Sequence, residues 1–117
     1  MALETNGNLG IGVSNPLAKL HVKGTGTSGQ VTASFILENG SSGTAGMDIT
    51  GSAGASRLRF LYGGGPSTGT NALTQAMCIL TEGSTAGNVG IGTTAPNARL
   101  DVSGSAIITG SFTVTPG

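Results

Sequence analysis

One eighteen-residue stretch occurs twice, and no other feature restricts the fold as much. Gly7 to Gly24 reads GNLGIGVSNPLAKLHVKG, and Gly87 to Gly104 reads GNVGIGTTAPNARLDVSG. The two align without a gap, and ten of the positions are identical: Gly7/Gly87, Asn8/Asn88, Gly10/Gly90, Ile11/Ile91, Gly12/Gly92, Pro16/Pro96, Ala18/Ala98, Leu20/Leu100, Val22/Val102 and Gly24/Gly104. Three further pairs swap like for like: Leu9/Val89, Ser14/Thr94 and Lys19/Arg99. Glycine alone could match by accident in so Gly-rich a chain. The ungapped Asn, Ile, Pro, Ala, Leu and Val matches mark a true internal repeat.

The repeat has the logic of strands. In Asn8-Leu9-Gly10-Ile11-Gly12-Val13 the odd positions are aliphatic and the even ones are Asn or Gly. Strand side chains alternate between faces, so one face carries Leu9, Ile11 and Val13 while the other is almost bare backbone. Bare backbone suits a place where another backbone comes very close. Ser14-Asn15-Pro16 reads as a turn, because Pro fixes φ and keeps its predecessor out of the helical region. Beyond it Ala18, Leu20 and Val22 alternate with Lys19, His21 and Lys23, and the second copy sets Ala98, Leu100 and Val102 against Arg99, Asp101 and Ser103. The expected unit is two short strands joined by a Pro turn, with Ile11 and Ile91 buried.

These residues resemble a motif, GNVGIGTTxPxAKLDVxG, that recurs in bacteriophage tail-fibre and related virion-fibre proteins. The second copy matches it at Gly87-Asn88-Val89-Gly90-Ile91-Gly92-Thr93-Thr94-Ala95-Pro96 and at Ala98-Arg99-Leu100-Asp101-Val102. The first copy departs from it at Val13 and His21. Ala76-Met77-Cys78-Ile79-Leu80-Thr81 is similar to the short strand that precedes the motif in such fibres. The resemblance implies a homotrimeric, elongated, β-rich virion component. Such a protein is made in the host cytoplasm without a signal peptide, and Met1-Ala2-Leu3-Glu4 does not read as one.

The totals exclude several classes. Twenty-two glycines among 117 residues, abundant Ser and Thr, and only 9% charged residues describe a turn-rich polar β protein. Net charge is zero and the basic residues are scattered, which argues against a nucleic-acid surface built from clustered Lys and Arg. No apolar run approaches the roughly 20 residues of a membrane helix, so no membrane insertion is expected. The single cysteine, Cys78, allows no intrachain disulfide. Its neighbours Met77, Ile79 and Leu80 place it in a core. Large apolar residues are sparse for this length, which points to chains sharing a core.

Along the chain, the region 31–81 between the repeats alternates as strands. Val31–Glu38, Met47–Thr50, Arg57–Tyr62 and Leu73–Thr81 are predicted to form one antiparallel sheet or sandwich, with Asn39-Gly40 as a tight hairpin. Residues 106–115 are predicted to form a C-terminal strand, with Ala106, Ile108, Gly110, Phe112 and Val114 on one face. No window has helical periodicity. Gly24-Thr25-Gly26-Thr27-Ser28-Gly29 matches GxGxxG formally, but a strand follows it where a dinucleotide site needs a helix.

Catalysis needs convergent titratable groups, and the supply is poor. His21 stands alone, and Asp48, Asp101, Glu4, Glu38 and Glu82 sit on separate segments. No catalytic, cofactor or metal residues are assigned, and no cofactor is expected. The most site-like cluster is Arg57, Arg59 and Tyr62 beside the Gly63–Asn71 loop, where a host glycan or partner protein would be contacted. The bland alternative makes Tyr62 core and the arginines guards of a sheet edge.

The sequence therefore reads as a single all-β module, 1–117. A Gly-rich antiparallel sheet or sandwich is flanked by the repeat units 7–24 and 87–104, and chains interwind as a trimer. The expected function is a non-enzymatic bacteriophage virion protein of tail-fibre type, partnered by itself, by other virion proteins and by a host surface. Its rivals are a capsid decoration or head-fibre protein and the subunit of an extracellular filament.

Overall fold

In a computed structural model, which describes residues 1–24, 31–38, 43–51, 56–63 and 73–117 (backbone alone at 31–33 and 38), the chain forms two β-sheets. Among the described residues there is no helix. The Asn39-Gly40 turn and most of the Gly-rich links at 24–30 and 63–71 fall outside those residues.

The first sheet has three strands, β1 (Ala2–Leu3), β2 (Leu9–Ile11) and β3 (Leu20–Val22). The second has six in chain order: β4 (Val31–Glu38), β5 (Thr44–Thr50), β6 (Arg57–Gly63), β7 (Thr74–Leu80), β8 (Val89–Ile91) and β9 (Leu100–Val102). From β4 to β8 every pairing is antiparallel, as expected for the region 31–81, and β8 pairs with β9 in parallel. Both sheets are thus mixed, and the four central strands make one layer of one sheet. The two sheets together are not the purely antiparallel arrangement expected from the sequence. Alternation sets which residues share a face, but it carries no information on strand direction.

The repeat folds the same way twice. Leu9, Gly10 and Ile11 pair in parallel with Leu20, His21 and Val22, while Val89, Gly90 and Ile91 pair with Leu100, Asp101 and Val102. The flanking bonds also match. Leu9 N–H donates to Lys19 O (2.8 Å) and Lys23 N–H to Ile11 O (2.8 Å); Val89 N–H donates to Arg99 O (2.9 Å) and Ser103 N–H to Ile91 O (2.9 Å). The two copies therefore share one backbone design.

The bare glycine faces have their cause inside the unit. A Cβ on Gly90 would lie 2.7 Å from Thr93 O and 3.2 Å from Cys78 Sγ, and Gly92 takes φ 70°, which L side chains rarely adopt. The backbone that approaches Gly90 is the entry to the Pro turn at Thr93, and the backbone that approaches Gly92 is Ser103 O, 2.7 Å from the Cβ position, so both belong to the same repeat. The close approach needs no second chain.

The segment 106–115 belongs to neither sheet and is exposed along its length. Its pattern suits a strand, but no edge of the single chain is paired with it.

Candidate functional site

The six-stranded sheet has an apolar face that the described residues leave largely uncovered. Strand register lines residues up in rows, and paired residues share a face. One row runs Phe35, Met47, Phe60, Met77, Ile91, Val102, and another runs Ile49, Leu58, Ile79, Val89, Leu100. Both lie on the same side. Phe35 is 54% exposed and Leu100 61%, and Met47, Ile49, Ile91 and Val102 are exposed as well. Ile11 and Ile91, expected to be buried, are 45% and 43% exposed. The repeat pattern identified the apolar face correctly, but in one chain that face has no cover. Val22 of the first sheet reaches its margin and lines a hollow with Phe35, Met47, Ile49 and Leu58.

The opposite face is where burial occurs. The row between the two apolar rows reads Ser34, Asp48, Arg59, Cys78, Gly90, Asp101. Across its centre Arg59 forms a two-pronged ion pair with Asp48: Nε donates to Oδ1 at 2.8 Å and Nη2 to Oδ2 at 2.6 Å. The Asp48 carboxylate is 0% exposed and the Arg59 side chain 16%. The Pro turn of the second repeat folds down over this side. Its Thr93 carbonyl accepts from Gln75 Nε2 (3.0 Å) and Cys78 Sγ (3.4 Å), and its Thr94 carbonyl accepts from Arg57 Nη1 (2.8 Å). The Ala76 carbonyl accepts from Gly92 N–H at 3.0 Å, which continues the β7–β8 ladder and ties the turn to the sheet. Leu61 and Cys78 are the buried hydrophobic residues among those described, and both belong to this side.

The three residues singled out from the sequence do not converge. Arg57 and Arg59 stand on the covered face, held by Thr94 O and Asp48. Tyr62 is two positions from Phe60, so it stands on the apolar side, and it is exposed. Arg57 Nε is buried without a hydrogen-bond partner. Among the described residues no group of three or more His, Cys, Asp or Glu side chains is placed to hold a metal ion, and no helix is long and apolar enough to cross a membrane.

His21 and Asp101, at equivalent repeat positions, do one job that sequence reasoning missed. Leu17 N–H donates to His21 Nδ1 at 3.3 Å, and Asn97 N–H donates to Asp101 Oδ2 at 3.0 Å. Each side chain closes the Pro turn from the strand that follows it. The signal was available, since imidazole and carboxylate share only acceptor capacity. Lys19 and Arg99 are likewise equivalent: Lys19 Nζ donates to Asn6 O (2.8 Å) and Arg99 Nη1 to Ala86 O (3.0 Å).

The site is therefore a broad, nearly uncharged hydrophobic face backed by a polar network, with the turn of the second repeat as its buttress. Compared with known proteins, the chain matches no family model and no curated protein.

Proposed function

We propose that the protein is a non-enzymatic structural component of a bacteriophage virion, a homotrimeric module of tail-fibre type whose apolar sheet face is its association surface. The open apolar face carries the reading. A soluble chain rarely leaves so large a contiguous apolar patch bare unless it binds something, and a net charge of zero sets up no repulsion between copies. The duplicated GNxGIG…P…L-x-V motif supports the virion assignment through its resemblance to fibre proteins. Other virion proteins would hold the trimer, and a host surface glycan or protein would be its partner at attachment.

Native mass spectrometry at micromolar concentration is expected to give three chains per particle, and a stable folded monomer overturns the association. Antibodies raised against the chain should decorate phage particles in electron micrographs. Decoration of the shell in place of the tail would move the protein to the capsid, and absence from particles would remove it from the virion.

A further inference from the structure

The repeat extends beyond the motif. Residues Ile108-Thr109-Gly110-Ser111-Phe112-Thr113-Val114 align with Val31-Thr32-Ala33-Ser34-Phe35-Ile36-Leu37 without a gap, with Thr, Ser and Phe identical and small or aliphatic residues at most other positions. Each copy of the motif is thus followed, after a link of different length, by a similar strand sequence. After the first copy that sequence is β4, paired with β5. After the second copy it lies in no sheet, with Ile107 92% exposed and Phe112 69% exposed. Residues 104–117 carry no charge, so nothing in their composition favours staying in water.

The sheet offers one matching vacancy. β4 is the outermost of the six strands, so among the described residues one of its edges is unpaired over eight residues. The other free edges, on β1, β3 and β9, belong to strands of two or three residues. An unpaired edge of that length is a template for another strand. In its own chain the 108–115 segment leaves from β9, on the far side of the sheet, five inter-strand spacings or roughly 24 Å away.

We propose that residues 108–115 of one copy pair antiparallel with the outer edge of β4 in a second copy. The register that sets Ser111 opposite Ser34 also sets Ile108 opposite Leu37 and Gly110 opposite Phe35. It thereby extends the apolar face by one strand and lays the Phe35 ring over a glycine, a favourable cross-strand pair. Gly110 has φ 119° with nothing within 4 Å of a Cβ built on it, so the segment has open space around its one positive-φ residue. Donor and acceptor are different parts of the chain. The contact is therefore heterologous: it closes into a ring when three copies complete the rotation and continues as a filament when they do not. The inference rests on the self-association proposed above but on a different part of the molecule.

Mixing full-length Ser34→Cys with full-length, differently tagged Ser111→Cys and oxidising mildly tests it. The native Cys78, 0% exposed, stays out of the reaction. A disulfide between the two tagged chains is expected. A second mixture, Met47→Cys with Phe112→Cys, should give none, because Met47 is the partner of Phe35 inside the chain. A link in that mixture means the segment replaces β4, which overturns the proposal, and so does absence of a link in the first. As a second measurement, consecutive prolines at Phe112→Pro and Thr113→Pro remove an N–H from whichever alternate set faces β4. Association should weaken about fivefold, the loss expected from one net backbone hydrogen bond. Unchanged trimers with no cross-link refute the strand addition alone, whereas a monomeric wild-type chain refutes both it and the association reading.

Discussion

Asp48 is the residue on which the covered side of the sheet depends. A carboxylate with no exposure is costly to bury unless it is paired and hydrogen-bonded, and Arg59 supplies both prongs of that pairing. Removing one partner leaves an uncompensated charge, which costs about 3–5 kcal/mol. Asp48→Ala is therefore expected to lower the denaturant midpoint sharply. Replacing Asp48 and Arg59 together with apolar residues should cost less than the single change. Equal costs for the single and the double replacement would show that the pair does not act as a unit. Nothing in the linear sequence reveals this pair. Asp48 and Arg59 look isolated until β5 and β6 are set in register, and register depends on a connection that alternation does not describe.

The Pro-turned repeat carries the argument at the level of the element. Each loop is held by one amide: Asn8 Nδ2 donates to Pro16 O at 3.1 Å and Asn88 Nδ2 to Pro96 O at 3.2 Å. Asn88 is buried and Asn8 only partly so. Asn88→Ala leaves the Pro96 carbonyl buried without its partner, at about 1–3 kcal/mol, while Asn8→Ala lets water take the amide's place. The expected result of thermal melts is a clearly larger loss at Asn88. Much of this element is legible beforehand: the aliphatic faces, the Pro turn and the equivalence of the copies all follow from identities at fixed spacing. Its parallel direction is not, because a period of two is the same for strands running either way. Nor is the exposure of Ile11 and Ile91, since a pattern shows which side is apolar and not whether anything lies on it.

For the whole molecule, the open face predicts that stability and assembly can be separated. Met47 and Ile91 contribute to the exposed row, so the single chain loses little when they change, while the associated form loses a packed contact. Ile→Ala at a fully buried site costs about 2–5 kcal/mol. Ile91→Ala should therefore fall well short of that in a dissociated sample and approach it in the assembled one. Met47→Asp should abolish association in sedimentation experiments, with strand content by circular dichroism unchanged. Unfolding of the dissociated Met47→Asp chain would place that side chain inside the fold. The region 31–81 was legible as a sheet because its strands alternate cleanly. The tail at 106–115 was legible as a strand by composition, yet a strand exists only with a neighbour, and this chain supplies none.

The ion pair on the covered side has one more effect, on errors of alignment. In a sheet a slip of one residue exchanges the two faces of a strand. For β5 against β6 such a slip would push the Asp48 carboxylate onto the hydrophobic plane, leave the Arg59 guanidinium without its partner on the covered side and bring Met47 or Ile49 beneath the turn of the second repeat. A purely apolar sheet with little else to distinguish its rows could settle in several alignments. Here the wrong ones strand a charge. The covered side thus keeps the open apolar side in a single arrangement, and every copy of the chain carries the same surface.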